Sequence, residues 1–358
     1  MPDIERPQDR QITTQDIALM ARELVLVTLP HKDPGDVPRW SRQNGNITLA
    51  IQPGYKSDPD DRRQSVCIGY PYGSIARLIL YWIVTEARRT GNPRLVLGKS
   101  LTDFMRKLGL HPNYGGGPRS STTGIQRQLE RLLYARITFE QSTEERARGS
   151  RQWFDMPVAK GGALWWDTET VEERAMWGGF VVLNDDFFRA IITQPVPVRM
   201  MALLALKKSP LGLDLYAWAT LESYKAQHHG HGRFVAWSLL HEQFGTEVGR
   251  LDNFIAKAKR EFQKILLNCP SLRLACVRGG VQILAESLPD VPTLAAQNIL
   301  EPPRPTLKIP SSVALEQVRS LDTRESAVMI AVAFLKAVER GAAELTDEAY
   351  LTFAQQYV

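Results

Sequence analysis

The feature that most constrains this chain is an internal repeat of one order of elements. In two stretches, the pattern of apolar and polar residues predicts a helix, a turn, a second helix and a β-hairpin. The second helices of the two stretches align at a constant offset, so their apolar positions coincide. These positions are Ile125, Leu129, Leu132 and Leu133 in one stretch and Ala258, Phe262, Ile265 and Leu266 in the other. We therefore expect two related modules, the first module at residues 61–160 and the second module at residues 175–288.

The second helix of the second module separates apolar and basic residues onto opposite sides. At about 100° per residue, the apolar side chains between Leu251 and Leu266 share one face. A narrow stripe on the other side consists of Asn253, Lys257, Arg260 and Lys264. A stripe of nearly uniform positive sign attracts a phosphate backbone. A basic helix face that meets only solvent is the alternative.

The second helix of the first module, predicted over residues 122–134, carries a similar stripe. Because both stripes occur on the equivalent element, contact with nucleic acid is favoured over a solvated face. Side chains in the turn before this helix and at the tip of the second hairpin are weaker candidates. Short polar side chains suit base edges, while Arg and Lys neutralise phosphates or reach guanine. The predicted DNA-binding residues are Thr123, Arg127, Arg131, Arg119, Asn253, Lys257, Arg260, Lys264 and Arg278.

The order helix, turn, helix, hairpin is that of a winged helix. A short helix braces a second one for entry into the major groove, and the hairpin reaches the neighbouring backbone. The predicted fold class is α+β, with tandem winged-helix domains that are mostly helical and have small β-hairpin wings. An N-terminal region at residues 1–60 is expected to hold a helix over Thr14–Thr28 and a strand over Ile47–Gln52. A proline-rich linker at residues 289–313 and a small helical tail at residues 314–358 are expected at the C-terminal end.

The composition excludes several classes of protein. Among 358 residues, 44% are hydrophobic and 23% are charged, which is typical of a globular protein, and a net charge of +5 is compatible with an anionic partner. Cys67, Cys269 and Cys276 form no CxxC pair, which argues against a zinc finger or a disulfide scaffold. The sequence predicts neither a signal peptide nor a membrane span, so a cytoplasmic location is expected.

One histidine-rich stretch resembles a catalytic motif. "YKAQHHGHG" at residues 224–232 places His229 and His231 around a glycine, with Tyr216 and Tyr224 nearby. Rolling-circle nickases use a similar His-x-His with a tyrosine nucleophile. Here the middle residue is glycine and no acid is spaced to complete a metal site, which favours a plain loop. "GGGPRSSTTG" lacks the GK[ST] of a phosphate loop. We therefore expect no metal site, no cofactor and no enzymatic activity.

Four stretches carry a resemblance to a known family. They are "GYPYGSIARLILYWIVTEA", "SLTDFMRKLGL", "IQRQLERL" and "RMMALLALKKSPLGLDLYAWATLESY", together with the second helix and hairpin of the second module. From about residue 45 to 288, and more specifically in the first module, the chain resembles the RepA-type replication initiators of theta-replicating plasmids. The resemblance implies that both modules bind repeated sequences in double-stranded origin DNA. The contacts it implies are those of Arg127, Arg131, Asn253, Lys257, Arg260 and Lys264.

The resemblance also implies several steps after DNA binding. Such initiators help to open an AT-rich region, recruit host DnaA and the replicative helicase, often dimerise through the first module, and repress their own gene. No catalytic residue is needed, because binding energy and DNA deformation can drive strand opening. The expected function is therefore plasmid replication initiation. A tandem winged-helix transcriptional regulator would share every DNA-facing feature and is the main alternative, with a rolling-circle nickase as the second.

Overall fold

The computed structural model describes residues 13–58, 61, 63–111, 121–142, 151–165, 178–245, 247–289 and 291. The described residues all belong to one compact unit. The predicted tail, Arg119 and almost all of the predicted linker lie outside the described residues. None of the described helices is both long and apolar enough to cross a lipid bilayer.

The described part of the chain contains helices of 3 to 20 residues. In its first half they are a 3₁₀ turn (Thr14–Asp16), α1 (Arg22–Leu26), α2 (Gly73–Thr90), α3 (Leu101–Lys107) and α4 (Ser121–Leu133). In its second half they are α5 (Asp185–Thr193), α6 (Met200–Leu206), α7 (Pro210–His229), α8 (Trp237–Phe244) and α9 (Leu251–Asn268). The long helix α7 is buried on most of its surface, so the other elements pack around it.

The strands form small antiparallel sheets. The four-stranded sheet has the order β2 (Trp40–Asn44), β3 (Ile47–Gln52), β7 (Arg136–Ser142), β8 (Arg151–Pro157). The three-stranded sheets are β6 (Arg94–Gly98), β10 (Gly179–Leu183), β9 (Ala159–Ala163), and β12 (Arg233–Ala236), β14 (Gly280–Ile283), β13 (Leu274–Cys276). The pairs are β1 (Ile17–Met20) with β11 (Val196–Arg199), and β4 (Gly54–Ser57) with β5 (Ser65–Gly69). Mixed helices and small antiparallel sheets confirm the coarse fold class.

The helix pair predicted in the first module is present as α3 and α4. Ile125, Leu129 and Leu132 on α4 are fully buried, as their helical spacing predicted. Ser100 begins α3 as its N-cap, because its Oγ accepts a hydrogen bond from the Asp103 N–H at 3.1 Å. This bond satisfies one of the amides that a helix start leaves without a partner.

The two modules differ in how their strands pair. In the second module, β12 precedes α8 and pairs with β14, so one sheet joins the strand to the hairpin. In the first module, β6 precedes α3 but pairs with β10, and the hairpin β7–β8 pairs with β3 instead. The order of elements therefore repeats along the chain, while the sheet pairing does not. Strand pairing depends on segments far away in sequence, so the helix alignment contained no signal for this difference.

The helix predicted over Thr14–Thr28 is wrong. Residues Ile17–Met20 form strand β1, and only Arg22–Leu26 is α-helical. All four residues of β1 are buried between β11 and α2, and the Leu19 N–H donates to Thr85 Oγ1 at 2.8 Å. A short apolar run that is buried on both sides has no periodicity that separates strand from helix. Pairing with the distant strand β11 makes this run a strand.

Candidate nucleic-acid interface

Helix α9 is held against the core by one apolar face. Phe254, Phe262 and Ile265 are buried there. The centroid of the Phe262 ring lies 6.0 Å from that of Trp218 on α7 and 6.4 Å from that of Trp237 on α8. Burial of an aliphatic or aromatic side chain contributes roughly 1.5–3 kcal/mol. These contacts therefore determine which side of α9 faces solvent.

The other side of α9 is exposed and mostly basic. Asn253, Arg260 and Lys264 are exposed and Lys257 is half-buried, so the structure brings the predicted residues of this helix to one side. Lys264 Nζ lies 3.0 Å from Glu261 Oε1, which offsets part of its charge. Within the described part of the chain, Lys257 and Arg260 form no ion pair. Arg260 is therefore the predicted residue that is most open to an incoming phosphate.

Sequence reasoning missed two polar residues on this face, Lys259 and Gln263. Both are exposed, and together with Arg260 they lie around the direction opposite to the buried face. The sequence placed Leu251 in the apolar face, although it is 39% exposed, and left out Glu261, which is only 6% exposed in the structure. Including Glu261 in the buried face turns the polar stripe away from Lys257 and toward Gln263. The sequence alone did not show where the centre of the buried face lies, so it could not show which polar residues lie opposite.

The tip of the β13–β14 hairpin is fixed to the start of α8. Trp237 Nε1 donates to the Val277 carbonyl at 3.0 Å, and the Trp237 N–H donates to the Gly279 carbonyl at 3.1 Å. Arg278 is exposed at this tip, as predicted for a hairpin end. Because Trp237 also packs against α9, the position of the hairpin tip is linked to that of α9.

A carboxylate holds the turn between α8 and α9. Glu247 accepts hydrogen bonds from the backbone N–H of His31 at 2.8 Å and from that of Lys32 at 2.9 Å. Its Oε1 lies 2.8 Å from Nη2 of Arg42 on β2. Burial lowers the pKa of Arg42 to about 10, and the Glu247 carboxylate limits this decrease. Since β2 belongs to the sheet that contains β7 and β8, Glu247 links the start of α9 to that sheet.

The polar face of α4 is used partly within the protein itself. Arg131 Nε donates to the Ile68 carbonyl at 2.8 Å, and Arg131 Nη1 lies 3.0 Å from Asp33 Oδ2. The guanidinium also stacks over the Tyr72 ring, and only 15% of the Arg131 side chain is exposed. The end of strand β5 lies over the C-terminal end of α4, so Arg131 is directed into the protein.

The remaining candidates of the first module are separated from Arg131. Arg127 is exposed and Thr123 is half-buried on α4, whereas Arg119 lies outside the described residues. The structure therefore does not gather the candidates of α4 into one open stripe, as it does on α9.

The His-Gly-His stretch lies at the end of α7 and in the loop between α7 and β12. His229 and His231 are exposed, and their ring centroids are 5.9 Å apart. No cluster of three metal-ligating side chains occurs in the described ranges of the chain. Tyr216 is fully buried, and its hydroxyl oxygen accepts a hydrogen bond from the Arg199 N–H at 2.9 Å. A tyrosine in that position does not reach a DNA phosphate. Tyr224 is 47% exposed.

The fold and this surface define a mixed α/β protein with small antiparallel sheets and one basic helix face open to solvent. A family model described as "Plasmid encoded RepA protein" matches residues 70–238. Over residues 70–238 the chain is therefore similar to plasmid-encoded RepA proteins, which confirms the resemblance seen in the sequence. The matched residues run from just before α2 into α8, so α9 lies beyond them.

Two solved structures are similar at a low level. The crystal structure of SeMet derivatives of domain 2 and domain 3 of RctB has a TM-score of 0.43 and 13% identity, covering 74% of this chain and 95% of that chain. The crystal structure of RctB domains 2-3, RctB-155-483, has a TM-score of 0.41 and 12% identity, covering 74% and 98%. Likeness of this degree says nothing about function. None of the curated proteins matches the chain.

Proposed function

We propose that this protein is a plasmid replication initiator that binds repeated sequences in double-stranded origin DNA through two winged-helix modules. Bound at the origin, it promotes opening of the neighbouring duplex and recruits host DnaA and the replicative helicase. Binding at the same repeats represses its own gene. The RepA family supports the initiator role. The DNA contacts are argued from the second module, where β12, α8, α9 and the hairpin β13–β14 come one after another in winged-helix order.

One observation carries the proposal: the basic side of α9 is exposed while its apolar side is buried. Helix α9 has 18 residues, which corresponds to about 27 Å of helix, and an α-helix fits the major groove of about 12 Å width. In this position Arg260, Lys259 and Lys264 meet phosphates, while Asn253 near the N-terminus of the helix reaches base edges. Arg278 at the hairpin tip contacts the adjacent backbone.

The first module is proposed to contribute both DNA contact and dimerisation. Arg127 on α4 is exposed and supplies its basic contact. On the four-stranded sheet, β8 is the edge strand within the described residues, and it exposes Trp153 by 66% and Phe154 by 62%. An exposed edge strand with large apolar side chains favours pairing with another chain. This surface supports a homodimer formed through the first module.

Binding to origin repeats is the first test. Fluorescence anisotropy on duplexes carrying the repeats of the parent replicon, against duplexes of scrambled sequence, should show tighter binding to the repeats and a steep dependence on salt. The double variant Lys257→Ala/Arg260→Ala should bind the repeats more weakly, and its salt slope should be lower by about 1 for each phosphate contact removed. Arg189→Ala removes an exposed cation from α5 and serves as the control. Equal binding to repeats and scrambled DNA at moderate salt would reject sequence-specific binding.

A second measurement separates an initiator from a transcriptional regulator. Both would bind the repeats, but only an initiator should distort the adjacent AT-rich duplex. Permanganate footprinting of a supercoiled origin plasmid should therefore reveal unpaired thymines when the protein is present. Binding without unpaired thymines, with or without added host DnaA, would favour the regulator.

A further inference from the structure

A cavity of about 490 Å³ lies between α1, the C-terminal end of α2, strand β11 and α7. Its walls combine cationic side chains with apolar surface. No carboxylate is found among the described residues that line it. Cavities of this volume and mixed lining are typical of sites for small organic molecules. The cationic side chains are Arg22, Arg88 and Lys225.

Arg88 is the cation with the least compensation. Its Nη1 donates to the Ile192 carbonyl at 3.1 Å, but its Nε is buried and has no hydrogen-bond partner. Burial lowers the pKa of Arg88, and no carboxylate in the described part of the chain opposes this effect. Arg88 is half-buried, and a guanidinium that is partly withdrawn from water without a counter-charge is destabilised. An anion placed in the cavity would supply the missing charge.

Arg22 repeats this pattern on another wall of the cavity. Its Nη1 donates to Gln194 Oε1 at 2.6 Å, whereas its Nε is buried and has no partner. Lys225 differs from both arginines, because its Nζ lies 2.6 Å from Oε1 of Glu222, a carboxylate that it shares with Arg233. The planar guanidinium group is well suited to bind a carboxylate or a phosphate.

The rest of the lining determines what the anion must be attached to. Pro195, Val196 and Leu221 provide apolar wall, and the half-exposed Tyr224 adds an aromatic ring to the lining. A bare inorganic ion would leave this apolar surface in contact with water. A ligand that covers it gains roughly 25 cal/mol for each Å² removed from water.

From this arrangement we infer that the cavity binds a small organic anion, a carboxylate or phosphate on an apolar or aromatic body, held by Arg22 and Arg88. No residue of α9 lines the cavity, so this site is separate from the proposed DNA interface. The results of the DNA-binding tests therefore neither support nor contradict anion binding in this cavity.

Isothermal titration calorimetry on the full chain tests this site. The probes are AMP, which carries a phosphate, and 1-naphthoate, which carries a carboxylate, each compared with its neutral analogue, adenosine or 1-naphthamide. At least one anion should bind about tenfold more tightly than its analogue, which is the contribution of one charge-assisted contact. AMP alone identifies the phosphate class and naphthoate alone the carboxylate class. If neither anion binds at millimolar concentration, the inference is overturned.

Substitutions locate the binding. Arg88→Met should weaken anion binding by about tenfold. Arg89→Met should leave it unchanged, because Arg89 is the next residue on α2 but is exposed and paired with Glu86. Should Arg88→Met fail to fold, Arg22→Gln is measured instead, with the same expected loss. Unchanged binding in a folded Arg88→Met or Arg22→Gln variant would overturn the assignment.

Discussion

Arg77 on α2 and Asp214 on α7 form a buried two-point ion pair. The distances from Nε to Oδ1 and from Nη2 to Oδ2 are both 2.7 Å. Arg77 also donates to the carbonyls of Pro30 and Leu29, and His31 Nε2 donates to Asp214 Oδ2 at 2.8 Å. Buried charges are tolerated when they are paired and their remaining donors are satisfied. The pair joins helices α2 and α7 to one N-terminal segment.

Asp214→Asn is expected to destabilise the protein strongly. The substitution keeps the size of the side chain but leaves the Arg77 charge buried without its counter-charge, which costs roughly 3–5 kcal/mol. Urea unfolding measures the change. Arg189→Ala, which breaks the exposed pair with Asp186, is the control and should change the free energy of unfolding by only about 0–1 kcal/mol. Similar effects of the two variants would contradict the structural role of the buried pair.

The same pair should make the protein sensitive to acid. Burial raises the pKa of Asp214, but Arg77 and His31 outweigh it and hold the pKa at about 2. The unfolded chain has a pKa near 3.9 for this group. The difference stabilises the folded state above about pH 4, and the contribution is lost as the pH falls toward about 2. Over this interval, the free energy of unfolding of the wild type should fall by roughly 2 kcal/mol more than that of Asp214→Asn. Parallel curves from urea unfolding would disprove this.

Glu247→Gln is expected to loosen the start of α9. Arg42, whose side chain is fully buried, would lose its carboxylate partner, and two backbone amides would lose a charged acceptor. A loss of roughly 1.5–3 kcal/mol per charged hydrogen bond is typical. Hydrogen exchange should become faster in the first turn of α9, and affinity for origin repeats should fall. Glu242→Gln, an exposed substitution on α8, should alter neither quantity. Normal exchange in Glu247→Gln would show that the turn does not need the carboxylate.

Gly69→Ala should destabilise the region where Arg131 is held. Gly69 has a φ of 82°, which side-chain-bearing residues rarely adopt, and an added Cβ would lie 2.8 Å from Arg131 Nη2. We expect a loss of about 1–3 kcal/mol, measured by urea unfolding. Gly161→Ala is the matched control, because its added Cβ would meet no atom within 4 Å. An effect no larger than that of the control would mean that neither the backbone angle nor the contact matters.

The cations of α9 should differ in their effect on DNA binding. Arg260→Ala should weaken binding to origin repeats by roughly 1–3 kcal/mol and reduce the salt slope by about 1. Lys257→Ala should have a smaller effect, because Lys257 is half-buried, and so should Lys264→Ala, because Lys264 is paired with Glu261. Anisotropy titrations at several salt concentrations give both quantities. If Lys257→Ala weakened binding more than Arg260→Ala does, the side of α9 that faces DNA would be the stripe expected from the sequence.

Several elements could be predicted from local pattern alone. Helix α4, helix α9 and strand β3 lie within a few residues of their predicted bounds, because each carries an apolar period or alternation within its own length. The Ser100 cap of α3 was also local, since both bonded groups lie within one turn. The RepA resemblance was carried by such stretches and is confirmed for residues 70–238.

Other features depended on partners that are distant in the chain. Strand β1 exists because β11 pairs with it, and Arg131 points inward because Asp33 and the Ile68 carbonyl receive its donors. The direction in which the polar face of α9 points depends on where the aromatic residues of α7 and α8 contact this helix. By itself the sequence determined the amphipathic helices such as α4 and α9, because helical spacing lies within one segment. Tertiary packing decided which charges remain open to solvent, because exposure depends on residues brought together only by folding.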